Sequence, residues 1–181
     1  PLLYLIVRRI MDISSWRLIT DGDERAFKSM YDQYADLLYG YGMKIAADTY
    51  VVSDAIQALF VYLYEKRKTI SRPKYISAYL CVSLSRSILQ TLKKQRGSNT
   101  VYNDGLLTDY EFNLQVDTES EIINSETEKE KYSELQNALN ELSNQQREVV
   151  YLKYYNGMSN DEIAEILGIS NQIVRNIACR A

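Results

Sequence analysis

The chain has 181 residues, 46% of them hydrophobic, with only 7 Gly and 2 Pro, which disfavours a turn-rich β fold and allows one compact helical domain or two small ones. It has no His, and its two cysteines, Cys81 and Cys179, stand far apart. That combination excludes zinc fingers, CxxC redox sites, His-based acid–base chemistry and Ser or Cys triads, implies no cofactor and no small-molecule substrate, and reads as a reduced, cytoplasmic, non-enzymatic protein.

The net charge of −3 hides a split along the chain. Residues 65–96 carry nine Lys or Arg against the single acid Glu65, and residues 104–134 carry ten acids against Lys129 and Lys131. A basic working surface and an acidic connecting segment are the expectation. In chain order, PLLYLIVRRI (1–10) is apolar but too short to span a bilayer, and it reads as an extension ahead of Met11. A short helical piece is expected around Ile13–Ile19. The three- and four-residue steps of Phe27, Met30, Tyr31, Tyr34, Leu37, Leu38, Tyr41 and Ile45 predict a long amphipathic helix from Glu24, capped by Asp21 or Asp23. Val52, Ala55, Ile56, Leu59, Phe60 and Leu63 predict a second helix, from about Tyr50 to Lys66. Pro73, suited to a first helical turn, opens a third carrying Ile76, Leu80, Leu84, Ile88 and Leu92 to about Gln95. The four pieces would share one core, making residues 11–96 a helical domain.

Periodicity fades after Gly97. GSNTVYNDGLL is turn chemistry and VDTESEIINSETEKEK is polar and acidic, so residues 97–127 read as a flexible linker. From 128 to 181 a second helical domain is expected. Tyr132, Leu135, Leu139 and Leu142 mark one helix. Ser143, with Gln146 as its capping-box partner, opens another carrying Val149, Val150, Leu152 and Tyr154, and Asn156–Gly157 ends it. Two short apolar stripes follow, Ile163, Ala164, Ile166 and Leu167, then Ile173, Val174, Ile177 and Ala178, around the breaker Gly168. Ser159 with Glu162, and then Ser170, suit helix starts. This is the pattern of a helix-turn-helix whose second helix projects Asn171, Gln172, Arg175, Asn176 and Arg180, side chains that bond phosphates and base edges. The fold class is therefore all-α: two small helical domains on a flexible linker, the second a helix-turn-helix.

Two stretches carry a resemblance. LNELSNQQREVVYLKYYNGMSNDEIAEILGISNQIVRNIACRA resembles the promoter-reading domain of bacterial sigma factors of the extracytoplasmic-function group, within the sigma-70 family. GDERAFKSMYDQYADLLYGYGMKIA, followed by SDAIQALFVYLYEKR with Asp54, Gln57 and Phe60 at their characteristic spacing, resembles the polymerase-binding domain of that group. The resemblance implies a sigma region 2-like domain at 11–96 and a sigma region 4-like domain at 128–181. Its implied partners are core RNA polymerase, promoter DNA and an anti-sigma factor, with no insertion into the membrane. Asp54, Gln57 and Phe60 would then contact polymerase. Arg72, Lys74, Tyr75, Tyr79, Arg86, Lys93 and Lys94 would meet the melted minus-ten element. In the minus-thirty-five element Arg175 and Asn176 would read bases, Gln172 and Arg180 would hold phosphate, and Asn171 completes the DNA-facing set. The rival is a two-domain helix-turn-helix regulator that binds operators without polymerase; a receiver domain of that kind would need strands alternating with helices in the first half.

Overall fold

The computed structural model describes residues 16–95, 110–115 and 126–180, so the expected extension at 1–10 and most of the linker lie outside the described residues. Every regular element among the described residues is helical, and the chain divides into two units, Pro1–Tyr102 and Asn103–Ala181. No helix among the described residues is long and apolar enough to cross a membrane.

The first unit contains α1 (residues 16–20), α2 (Glu24–Ala46), α3 (Thr49–Lys66) and α4 (Ile76–Gln95). Asp23 starts α2 by accepting from the amides of Arg25 (2.8 Å) and Ala26 (3.1 Å). Asp48 does the same for α3 with Tyr50 (2.9 Å) and Val51 (3.1 Å). Each cap satisfies amide donors that the first helical turn leaves without an intrahelical partner. Only Ala47 and Asp48 separate the two helices, and Ala47 takes a left-handed conformation (φ 49°) that closes α2. Pro73 does not open the third helix. It lies in the lead-in, and the first carbonyl to accept within α4 is that of Tyr75, from the Tyr79 amide (3.1 Å). A loop supplies the φ that Pro requires as readily as a first turn does, and the residues able to enter the core begin at Ile76.

The core of this unit is Tyr34, Leu38 and Tyr41 from α2, Val52, Ile56, Leu59 and Leu63 from α3, and Leu80, Leu84 and Ile88 from α4, with Trp16 and Ile19 of α1 also buried. Gly42 sits where the helices crowd closest: a Cβ there would lie 2.8 Å from Val52 Cγ1 and 3.2 Å from Ile88 Cδ1. The stiff Val52 side chain cannot swing aside. Gly42→Ala is therefore expected to destabilise by about 1–3 kcal/mol of overpacking, against a helix-propensity gain of about 1 kcal/mol. A chemical-denaturation midpoint at or above that of the parent would show that the helices can part at little cost.

The second unit contains α5 (Glu126–Glu141), α6 (Asn144–Val150), which runs directly into a π-helical turn (Tyr151–Tyr155), α7 (Asn160–Leu167) and α8 (Asn171–Arg180). Both capping boxes form. Gln146 N donates to Ser143 Oγ (3.3 Å) while Ser143 N donates to Gln146 Oε1 (2.8 Å). Glu162 N donates to Ser159 Oγ (3.3 Å) while Ser159 N donates to Glu162 Oε2 (2.9 Å). The π turn, with Asn156 N donating to Tyr151 O (3.1 Å), adds a residue to the helical turn and shifts its phase. Tyr154, inside the turn, is 64% exposed, while Tyr151 at its start joins Val149 and Leu152 in the core. The apolar mark at Leu135 likewise falls on an exposed position.

The largest departure from the sequence pattern lies inside the acidic segment. Residues 110–115 are docked on the second unit and do not behave there as a free tether. Phe112 is fully buried, its ring tilted against Tyr151 at 5.6 Å between centroids. Asn144 clamps the strap by accepting from the Phe112 amide (3.2 Å) and donating to the Tyr110 carbonyl (2.6 Å). Tyr110 Oη hydrogen-bonds the buried Glu148 carboxylate, and Glu111 pairs at 3.8 Å with Arg147. Arg147 in turn donates to the Leu139 and Asn140 carbonyls near the end of α5 (both 3.1 Å). A single aromatic side chain with satisfied backbone bonds anchors a stretch whose average composition is that of a solvated linker.

Candidate nucleic-acid and protein interfaces

In the second unit α7 and α8 form the expected helix-turn-helix. Gly168 closes α7 at φ 64°, its amide donating to Ala164 O, and the Ile169 amide follows to the same carbonyl (3.1 Å). This is the left-handed cap for which glycine carries no Cβ penalty. Ser170 starts α8, its Oγ accepting from Ile173 N (3.3 Å). Val174 is buried with Ile163 and Ile166 of α7 and Val149 and Leu152 of the preceding helix. With Val174 inward, helical periodicity turns Gln172, Arg175 and Asn176 outward, and all three are exposed, as is Arg180. Arg175 and Arg180, five residues apart, flank this face on opposite sides.

The face is organised before any ligand arrives. Gln172 Nε2 donates to Asn176 Oδ1 (3.0 Å), so these two amides hold each other along the helix. Asn171 is only half-exposed, and its Nδ2 donates to Asp161 Oδ1 (2.7 Å). Ile173, which the apolar stripe places in the core, is instead 43% exposed beside Gln172. An apolar side chain there suits a thymine methyl. At the other end, Tyr154 Oη donates to Ala178 O (3.0 Å), occupying one of the last carbonyls of α8.

In the first unit the basic run lies on and before α4. Tyr79, Arg86 and Lys93 recur every seven residues on the side opposite the buried Leu80, Leu84 and Ile88, so they share one face. Arg86 is exposed, while Tyr79 and Lys93 are half-buried. Tyr79 packs edge-on against Trp16 (6.5 Å between centroids). Burial and the neighbouring Tyr62 raise its phenol above the usual tyrosine value, and a hydrogen bond from Ser83 opposes that shift. It stays neutral across the physiological range, a ring available for stacking. Arg72 and Lys74 are exposed in the lead-in, with Lys74 Nζ 5.0 Å above the Tyr75 ring. Lys94 is exposed one position round the helix from Lys93 and does not share the Tyr79–Arg86 face.

Asp54 and Gln57 are exposed on α3, one turn apart, whereas Phe60 is 5% exposed. The Phe60 ring meets Tyr31 (4.8 Å) and Phe27 (6.0 Å) edge-on between α2 and α3. It forms part of the floor of a groove of about 700 Å³ whose lining includes Tyr31, Tyr39, Gln57 and Tyr64. Tyr31 and Phe27, which the apolar spacing assigns to the core, line this groove, and Tyr31 is 43% exposed.

The family profile described as Sigma-70 region 2 matches residues 30–98, and that described as Sigma-70, region 4 matches residues 132–181. No curated protein matches the sequence. The fold is similar to that of CnrH in its complex with the cytosolic domain of CnrY, with a TM-score of 0.54 and 19% identity over 96% of this chain and 90% of that one. It is also similar to the sigma factor RpoE in complex with the anti-sigma factor NepR from Bartonella quintana, with a TM-score of 0.54 and 18% identity over 85% of this chain and 90% of that one. At such identities the likeness is one of fold. Two regions of one family, in their numbered order and together spanning most of the chain, mark a sigma factor: the chain belongs to the sigma-70 family.

Proposed function

We propose that the chain is a sigma factor of the extracytoplasmic-function group, acting in the cytoplasm through two separate contacts with one promoter. Asp54 and Gln57 dock the first unit on core RNA polymerase, over a groove floored by Phe60. The Tyr79–Arg86–Lys93 face, with Arg72, Lys74, Tyr75 and Lys94 around it, holds the melted minus-ten strand by stacking and phosphate contact. α8 enters the major groove of the minus-thirty-five duplex, where Arg175 and Asn176 read bases and Gln172 and Arg180 hold the backbone. The complex of the similarly folded RpoE with the anti-sigma factor NepR supports an anti-sigma partner here as well.

The observation that carries this reading is the outward face of α8: three exposed, hydrogen-bonding side chains opposite the buried Val174, at the end of a region 4 match. α8 alone brings only the cations Arg175 and Arg180 to DNA, so isolated binding by the second unit is weak and salt-sensitive. On one polymerase the second contact becomes intramolecular and avidity rises. An all-helical first unit leaves no place among the described residues for the strand-alternating receiver of the rival reading.

The test is transcription by core polymerase supplemented with the chain, with RNA start sites mapped. Start sites that share two upstream elements support the proposal. Operator binding by the chain alone at physiological salt, without polymerase association, overturns it. Within that assay Arg175→Ala is expected to relax preference at one position of the upstream element, in keeping with the ~1–3 kcal/mol of a bidentate Arg–guanine contact. A uniform loss across all sequences would make Arg175 a phosphate contact.

A further inference from the structure

Asn171 is the first residue of α8, the end from which a major-groove helix reaches base edges, yet its amide is not left to rotate. Its Nδ2 donates to Oδ1 of Asp161, in the first turn of α7, at 2.7 Å. A carboxylate only accepts, so the amide nitrogen must face Asp161 and one of the two amide orientations is selected. Oδ1 and the second N–H of Asn171 remain beyond Asp161's reach, an acceptor beside a donor. That pair complements adenine, which offers N6–H and N7 in the major groove. Turned over, the same amide would lead with its N–H donors, the pattern that guanine O6 and N7 accept.

We propose that Asp161 is a positioning residue for promoter specificity: by holding the Asn171 amide it commits the start of α8 to adenine over guanine at one position of the upstream element. The inference rests on the reading of α8 given above. It also has a signature that a lost contact does not. The exposed Asp161 carboxylate repels phosphate, so removing it leaves general DNA affinity equal or higher while discrimination falls.

The experiment uses holoenzyme assembled from core polymerase and the full chain, initiating on a promoter library randomised across the upstream element. The parent should favour A over G at one position by at least about fivefold. Asp161→Ala and Asp161→Asn should bring that ratio below about twofold at the same position, keep preferences elsewhere, and leave total initiation undiminished. Asp161→Glu, still acceptor-only, should restore much of the preference, and Asn171→Ala should erase it. Thermal melting of each variant separates this from unfolding, because the Ser159–Glu162 capping box stays intact. A parent profile with structure that Asp161→Ala leaves unchanged, or lowers uniformly, overturns the inference alone. A parent profile flat across the whole element overturns the reading of α8 and the inference with it.

Discussion

Phe112→Ala should destabilise the second unit by about 3–5 kcal/mol, the cost of truncating a fully buried aromatic ring. The unit is small, and stabilities of roughly 0.05–0.15 kcal/mol per residue leave it little to lose. At about 4–8 °C per kcal/mol for a domain of this size, its melting temperature should fall by tens of degrees. The truncation also works through its neighbours. Without the ring the strap has less reason to stay, and its release strips the Tyr110 hydroxyl from the buried Glu148 carboxylate and the Asn144 clamp from two backbone groups. The first unit should melt as before, since the substituted residue belongs to the other. Two calorimetric transitions, of which only one moves, are the expected trace. A shift below about 1 kcal/mol would mean that the strap is not seated, because only substitutions of exposed residues usually cost so little. Tyr110→Phe offers the finer test: it keeps the ring, removes one hydroxyl and should cost about 1–3 kcal/mol through the lost hydrogen bond to the buried Glu148 carboxylate.

The same strap shows where sequence legibility ends. Regular elements were legible because their signals are local. Asp23, Ser143 and Ser159 cap within three residues of themselves, and the stripe from Val52 to Leu63 states its own period. Gly168 and Ser170 likewise announce the turn between α7 and α8. Phe112 gives no such signal: its partners Asn144 and Tyr151, like Glu148 that holds the neighbouring Tyr110, lie more than thirty residues away, and its surroundings are acidic. The misplacement of Tyr154 has another cause, since a π turn adds a residue that no 3.6-residue pattern anticipates. At the candidate interfaces, residue type and spacing were enough to nominate Gln172, Arg175 and Asn176 on α8. They could not reveal that Asn171 is held by Asp161, because the contact joins two helices across a turn. Phe60 is the instructive intermediate case, since one stripe nominates it for the core and one spacing for an interface. The structure buries it against Tyr31 and Phe27, as the stripe expects, at the floor of a groove.

That dual position makes α3 the place to separate binding from folding. Asp54→Ala with Gln57→Ala should weaken binding to core polymerase by about 2–4 kcal/mol, thirtyfold or more, if these side chains are anchors of the interface. Both are exposed, so the fold should change by no more than about 0.5 kcal/mol. Asp54→Asn isolates the charge: a loss nearly as large as that of Asp54→Ala would assign its part to ion pairing, and the loss should then shrink as salt rises. Phe60→Ala provides the contrast. It should lower stability by about 3–5 kcal/mol, because the ring is packed between helices, and any binding defect it shows would follow unfolding. The measurements are a titration of labelled chain with core polymerase and a denaturant melt of each variant. Promoter preference supplies the last control, for a docking defect should fall at saturating chain with the selected sequences unchanged, α4 and α8 being untouched. Affinity that survives the double substitution removes Asp54 and Gln57 from the interface and transfers the search to the Tyr31 and Tyr39 wall of the groove.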